Sequence, residues 1–134
     1  MPRVRPISMV IKIPAQPDDV FKALTDSKTI AKWSGQKGKV EAAVGGKIEM
    51  FGGWVKGHVL AFQKGKILSY TWHTVDWDKS AKPSIVKYTL TSTATGTRVS
   101  LKHSGLPDEK NRKEHKAGWT EFVFDPLKSF FGPQ

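Results

Sequence analysis

The sequence predicts an α+β fold in which a curved antiparallel sheet of six or seven strands wraps around one long C-terminal helix. Three observations lead to this prediction. From Val44 to Trp72, short alternating apolar segments are separated by glycine pairs and a Lys-Gly-Lys turn, which is typical of an antiparallel meander. No helical pattern falls between Val40 and His103. The C-terminal segment carries large apolar side chains at helical spacing, so one amphipathic helix is available to cover the sheet.

One strand and two short helices are predicted before the meander. Ile7–Ile13 places an isoleucine or methionine at every second position, which indicates a strand with one strongly apolar face. Pro17, followed by two aspartates, is typical of a first helical turn. Asp26 or Ser27 is expected to cap a second helix, which Gly35 ends.

The meander and the segment after it contain the remaining strands. Both faces of segment 54–62 are apolar, so we expect either cover on both sides or a change of face at a β-bulge near Gly57. Segment 74–84 has no periodicity and is interpreted as an extended hairpin loop. The predicted strands lie at Val40–Val44, Ile48–Met50, residues 54–62, Leu68–Trp72, Val86–Leu90 and Val99–His103.

The last helix is predicted to begin at Pro107–Glu109. Its first half is charged on every side. Pro126 falls inside the helix, lacks a backbone donor and crowds the carbonyl of Phe122, so a kink or a restart of the helix is expected there. The apolar stripe of the second half consists of Trp119, Phe122, Val123, Leu127, Phe130 and Phe131.

A twisted sheet around a single helix does not close tightly everywhere, and large flat side chains are expected to line the remaining space. For Trp33 and Trp119, core packing is the interpretation we favour over ligand contact. We expect Trp54, Trp72 and Trp77 to be partly accessible, and the loop residue Trp77 to be a pocket lid, a dimer contact or incidental. The predicted ligand-binding residues are Trp33, Met50, Trp54, Trp72, Tyr88, Trp119, Phe122 and Val123.

Length and composition predict a single domain over residues 1–134, large enough to bury one core. The absence of cysteine excludes disulfides and thiolate chemistry and favours a reducing compartment. No apolar segment is long enough to span a bilayer, and Met1–Pro6 is not followed by the apolar region of a signal peptide. We therefore expect a cytoplasmic protein without a membrane span.

The net charge of +10 raises the question of nucleic-acid binding. Most of the 22 basic residues are lysines spread along the whole chain, whereas arginine is the residue that reads base edges. The densest group, Lys110–Lys116, is interleaved with glutamates and is interpreted as a solvated helix face. We expect no specific nucleic-acid partner, and we expect the basic charge to tolerate an anionic ligand at the pocket mouth.

No motif for metal binding, cofactor binding or catalysis is present, so no metal and no cofactor are predicted. The four histidines His58, His73, His103 and His115 show no ligand spacing and are interpreted as surface or hydrogen-bonded residues. Among the acids, Glu41 and Glu49 should point outward, and Glu121 is a weak pocket candidate. An enzyme would have to use Tyr70, Tyr88, His73 or His103, so we predict a protein that is not an enzyme.

The order and spacing of several segments resemble the helix-grip superfamily called START-like or SRPBCC, which is related to birch-pollen allergens. Within it, the sequence is most similar to the family named for activators of the heat-shock-protein-90 ATPase. The matching segments are I-P-A-x-P-x-x-V-F-x-A-L-T-D at Ile13–Asp26, I-A-K-W-S-G at Ile30–Gly35, V-G-G-K-I-E-M-F-G-G-W-V-K-G-H-V-L-A-F at Val44–Phe62, I-L-S-Y-T-W at Ile67–Trp72 and the pair Gly118-Trp119. The sequence departs from the pattern at Pro126 and in the turn at residues 63–66, which has no acidic residue.

This resemblance implies the helix-grip fold for the whole chain and leaves several functions open. Superfamily members include lipid and hormone binders, cyclases and chaperone regulators. The named activators carry an additional N-terminal domain that binds the ATPase, and this sequence contains no counterpart of it. Our expectation is non-enzymatic binding of an apolar or aromatic small molecule, including an anionic lipid-like one. The alternative is a stress-response module with a chaperone or another protein as partner, and a cyclase or hydratase is the third hypothesis.

Overall fold

Residues 4–132 are described by a computed structural model, and within them seven strands form one antiparallel sheet, as the sequence predicts. The domain prediction for residues 1–134 and the interpretation of Met1–Pro6 fall partly on residues 1–3 and 133–134, outside this range. The elements in chain order are β1 Ile7–Ile13, α1 Pro17–Thr25, α2 Ser27–Ser34, β2 Lys39–Val40, β3 Lys47–Met50, β4 Val55–Gln63, β5 Ile67–Thr74, β6 Ser84–Thr93, β7 Gly96–Ser104, α3 Glu109–Gly118, a π-helical turn Trp119–Phe124 and α4 Asp125–Phe131.

The strands lie in the order β1-β7-β6-β5-β4-β3-β2, so β1 pairs with the last strand and the others follow as a meander. Alternation along each strand turns one face of the sheet toward the helices. For example, Val86 lies opposite His103, which in turn lies opposite Ile7, and all three are fully buried. The core therefore lies between this inner face and the helical layer, as the periodicity of the strands indicates.

The two short helices are joined at Asp26, which ends α1 and caps α2. Its carboxylate accepts hydrogen bonds from the backbone N–H and the hydroxyl of Thr29 at 3.0 and 2.7 Å. These bonds lower the pKa of Asp26, because they stabilise the charged form. Gly35 ends α2 in the left-handed conformation with φ of 73°, as predicted. Trp33 donates to the carbonyl of Ala23 at 2.6 Å and thereby fixes α2 against α1.

Two strand predictions are wrong in detail. The strand predicted at Val40–Val44 is reduced to Lys39–Val40, because the chain turns at residues 41–46. The β-bulge of β4 lies at Leu60, where the register shifts between Val59 and Ala61, and not near Gly57. Gly57 is needed for a different reason: a Cβ there would lie 1.9 Å from the backbone oxygen of Thr71.

The C-terminal helix consists of α3, the π-helical turn and α4, which follow one another without an intervening loop. Phe124 and Asp125 both have right-handed helical dihedral angles, so the helix does not restart at Pro126 as one of our expectations required. The helix widens instead, with the N–H of Asp125 bonded to the carbonyl of Thr120, five residues earlier. The wide turn lies directly before Pro126, whose ring would crowd the carbonyl of Phe122 in a regular α-helix.

The second half of this helix closes the core against the sheet and α2. Trp119 packs with its ring centroid 6.0 Å from that of Tyr88, and Phe124 and Leu127 are almost fully buried. Among residues 4–132, no helix combines the length and the apolar character needed to cross a membrane.

Candidate functional site

A cavity of about 610 Å³ remains between the first half of the C-terminal helix and one end of the sheet. The end of β5 and the loop after it form one wall, and α3 with the π-helical turn forms the other. The lining residues are Gln36, Phe51, Trp54, Trp72, Thr74, Asp76, Trp77, Asn111, Glu114, His115, Gly118, Trp119, Phe122 and Val123.

Five of the eight predicted ligand-binding residues line this cavity: Trp54, Trp72, Trp119, Phe122 and Val123. The other three are buried elsewhere in the core. Trp33 holds α1 and α2 together, whereas Met50 and Tyr88 lie on the inner face of the sheet. Our expectation placed all large inward-facing side chains at one hollow, but the helical layer covers Trp33, Met50 and Tyr88 and leaves this cavity at one end of the sheet.

The accessibility of the tryptophans differs from our expectation at two positions. Trp54 is 37% exposed at the cavity mouth, as expected. Trp72 and Trp77 are only 3% and 8% exposed, because both pack against the ring of His115, with centroids 5.9 and 5.8 Å away. Trp77 is therefore part of the cavity wall, although it belongs to a polar loop.

A hydrogen-bond chain behind the cavity fixes the protonation state of His103. Trp119 donates its indole N–H to Nδ1 of His103 at 3.0 Å, so Nδ1 carries a lone pair. The proton of the neutral ring is then on Nε2 and is donated to the Ser84 hydroxyl at 2.7 Å, while Ser84 donates to the carbonyl of Trp72. Burial, with a smaller effect of His115, lowers the pKa of His103 to about 3.

The hydrogen bonds of His115 indicate the other neutral tautomer, in which the proton lies on Nδ1. Trp72 donates its indole N–H to Nε2 at 3.2 Å, so the ring proton lies on Nδ1 and is donated to the carbonyl of Asn111 at 2.9 Å. Burial lowers the pKa of His115, opposed by the hydrogen bond to Asn111 and the charge of Glu114. Both histidines therefore present neutral rings to the aromatic cluster at pH 7.

The remaining indole N–H groups at the cavity bind polar side chains of the wall. Trp77 donates to Oδ1 of Asn111 at 3.0 Å and so connects the loop after β5 to α3. Trp54 donates to Oδ2 of Asp76 at 2.7 Å. These two bonds hold the rings in fixed orientations, and a wall with fixed rings binds a ligand at lower entropic cost.

Thr74 is exceptional among the buried polar side chains of residues 4–132. It is fully buried, it lines the cavity, and its hydroxyl has no hydrogen-bond partner within the protein. Buried hydroxyls are normally satisfied, and because this one is closed off from solvent, a ligand atom reaches it only after neighbouring side chains shift. The residue at the end of β5 is therefore the polar group of the inner wall.

Thr74→Val is expected to raise the free energy of unfolding by up to about 1–3 kcal/mol, because valine replaces a buried hydroxyl that has no hydrogen bond within the protein. The matched variant is Thr97→Val: that hydroxyl is also buried but donates to the carbonyl of Ala15 at 2.6 Å. Loss of this hydrogen bond should lower the free energy of unfolding by about 1–3 kcal/mol. Urea denaturation of both variants tests the contrast, and an equal loss in the two proteins contradicts our interpretation of Thr74.

None of the four residues considered for catalysis lines the cavity within the part of the chain that the structure describes. Tyr70 and Tyr88 are buried in the sheet face, where burial raises the pKa of both hydroxyls. His103 lies behind Trp119, and Nε2 of His73 lies 3.1 Å from the carbonyl of Asp78. Glu41, Glu49 and Glu121 are exposed, and Glu121 is not among the residues that line the cavity, so its prediction as a pocket residue is wrong.

No group of three histidine, aspartate or glutamate side chains in residues 4–132 is placed to hold a metal ion. Sequence reasoning missed several lining residues, above all Thr74, Asn111 and Glu114. The helical spacing of Asn111, Glu114, His115 and Gly118 was the available signal, because positions separated by three or four residues share one face of a helix. The charged composition of α3 concealed it.

Taken together, the sheet, the C-terminal helix and the aromatic cavity define a helix-grip domain. The sequence profile of the family described as Activator of Hsp90 ATPase homolog 1-like protein matches residues 14–132, and the chain belongs to this family. This confirms the family resemblance of the sequence.

Relatives and solved structures agree with this assignment. The chain is 22% identical over 137 residues to an "Activator of 90 kDa heat shock protein ATPase homolog" from Dictyostelium discoideum, covering 97% of this chain. It spans 35% of the length of that curated relative. A crystal structure of a protein from Mesorhizobium loti is similar at 33% identity with a TM-score of 0.79, covering 92% of this chain and 94% of that one. An HSP90 activator from Plasmodium falciparum, at 23% identity and a TM-score of 0.85 over 96% and 97% of the two chains, supports the fold alone.

Proposed function

We propose that this domain binds an apolar or aromatic small molecule, without transforming it, in the cavity between the sheet and the C-terminal helix. The observation that carries the proposal is the cavity itself. Its volume of about 610 Å³ lies within the range of small-molecule sites, and six of its 14 lining residues are tryptophan or phenylalanine.

The polar groups of the cavity support the same function. Indole N–H groups orient two of them, Asn111 and Asp76, and the Thr74 hydroxyl is unpaired at the inner wall. A mostly apolar wall with a small number of placed polar groups is typical of a ligand site, because the former provides affinity and the latter provide orientation.

A neutral apolar dye, N-phenyl-1-naphthylamine, tests this proposal. We expect its fluorescence to rise on binding, and we expect Phe122→Ala to weaken the affinity about fivefold, since this 53% exposed side chain lines the cavity. Phe130→Ala is the matched control, because Phe130 is 40% exposed on the same helix and does not line the cavity. A dye that does not bind, or equal losses in both variants, contradicts the proposal.

A second candidate function is stimulation of a heat-shock-protein-90 ATPase, which the family membership favours. Because the chain spans only 35% of the curated relative, the activity of that whole protein is a proposal for this chain. Purified chain added to the ATPase should raise its turnover if this function is correct, and saturation of the cavity with the dye should leave that effect unchanged if the contact surface lies elsewhere. Unchanged turnover over a wide range of chain concentrations contradicts this candidate.

A further inference from the structure

We propose that the ligand of this cavity carries a positive charge, as an amine or quaternary ammonium group attached to an apolar or aromatic body. The inference rests on the proposed binding function and specifies the chemical class of the ligand. It replaces our expectation of an anionic ligand, which rested on the net charge of the whole chain.

The distribution of charge at the cavity is the first argument. Two carboxylates, Asp76 and Glu114, line it, and no lysine or arginine does so within residues 4–132. The chain as a whole has 22 basic and 12 acidic residues. A lining with only acidic charges is therefore opposite in sign to the rest of the protein, and it complements a cation.

The aromatic wall is the second argument. Trp54 lies at the exposed mouth and contacts the carboxylate of Asp76, whereas Trp72 and Trp77 line the interior and are almost fully buried. The faces of indole rings attract cations more strongly than other aromatic faces, and cages of such rings bind quaternary ammonium groups. The same rings accommodate the apolar body of the ligand, so one wall serves both parts of the molecule.

The Asp76 carboxylate at the cavity mouth is a hydrogen-bond acceptor, which suits a ligand that donates. Trp54 donates to Oδ2 of Asp76, which orients the carboxylate, and Oδ1 can accept from an ammonium group. His115 adds no positive charge to the wall, because its Nε2 accepts the hydrogen bond of Trp72 and its ring is neutral at pH 7.

The net charge of +10 includes four basic residues of segment Lys110–Lys116, which lie on the same helix as Glu114 and oppose a cation. At 0.15 M ionic strength the Debye length is about 8 Å, so more distant lysines are largely screened from a ligand in the cavity, whereas these four are not. None of the four lines the cavity, so the carboxylates of Asp76 and Glu114 are the charged groups closest to a ligand there.

The test compares three probes that share one naphthalene body: (2-naphthylmethyl)trimethylammonium, 2-naphthylmethanol and 2-naphthylacetate. Calorimetric titration of the full chain at 0.15 M salt and pH 7.5 should give a dissociation constant for the cation roughly tenfold lower than for the anion. Glu114→Gln should weaken the cation about threefold and leave the neutral alcohol unchanged. The matched control is Glu121→Gln, since Glu121 is exposed on the same helix and does not line the cavity.

Each outcome has a defined meaning. Binding of the anion as tightly as the cation, or an equal effect of Glu114→Gln on the cation and the alcohol, overturns the charge preference while the binding function stands. If none of the three probes binds, the proposed function fails and the charge preference fails with it.

Discussion

Replacing Trp119 by alanine is expected to lower the free energy of unfolding by about 3–5 kcal/mol. The side chain is 3% exposed and packs between Trp72 and Phe124, with ring centroids 5.1 and 6.0 Å away. Its removal leaves a large void beside an existing cavity and deprives His103 of its hydrogen-bond donor. Urea denaturation monitored by circular dichroism measures the loss.

Two variants separate the contributions to this effect. Phe122→Ala, three residues further along the same wall, should change stability by less than about 0.5 kcal/mol, because the side chain is 53% exposed. Trp119→Phe keeps most of the packing but leaves Nδ1 of His103 without its donor, and this should cost about 1–3 kcal/mol. A loss for Trp119→Ala no larger than that for Phe122→Ala contradicts the placement of Trp119 in the core.

Stability is expected to fall by about 2 kcal/mol between pH 7 and pH 5 through His103 alone. The ordinary pKa of histidine is 6.5, whereas that of His103 in the folded protein is lowered to about 3. Over this range the unfolded chain gains a proton that the folded protein does not accept, so acid favours unfolding. The stability contributed by the neutral ring is present above pH 6.5 and is lost as the pH falls toward 3. His115 acts in the same direction, because burial lowers its pKa too.

A comparison of stability at pH 7 and pH 5 measures the effect of the histidines apart from that of the carboxylates. Hydrogen bonds lower the pKa of Asp26, Asp78 and Asp108 below 3.8, so their stabilising effect is lost only at lower pH. His103→Gln can accept from Trp119 and donate to Ser84, and it should remove most of the pH dependence due to this position. His58→Gln, at an exposed strand position, is the control. If the unsubstituted protein is equally stable at pH 7 and pH 5, the interpretation of His103 and His115 as buried neutral rings is wrong.

Local patterns were sufficient to predict the architecture. The alternation in β1 and β5 indicates which side chains face the core, and the buried residues Leu68, Tyr70 and Trp72 lie on the predicted face. Proline and acidic residues mark the beginnings of the helices, and Gly35 marks an end. The bulge was misplaced because a glycine in a strand has two meanings, an inserted residue or a close backbone approach, and only the packing of Thr71 on Gly57 distinguishes them.

The cavity was predicted only in part, because it depends on how distant elements cross. Asn111 and Glu114 belong to a charged helical segment that composition alone indicates to be solvated. They reach the cavity wall because α3 crosses the end of β5, and Trp77 is buried there through a bond to Asn111, 34 residues away. The opposite sign of the local charge was equally hidden, since a net charge carries no information about position.

The π-helical turn Trp119–Phe124 sets the angular phase between the two ends of the C-terminal helix. Upstream of it, His115 faces the cavity, and downstream Leu127 faces the core. Each residue of an α-helix rotates the chain by about 100°, so deleting one residue within the turn rotates everything downstream by about that amount. Such a deletion turns Leu127 away from its position in the core, although Leu127 itself is unchanged. The spacing within this turn, as much as the identity of its residues, therefore determines whether one helix can serve both as the wall of a binding site and as the closure of the core.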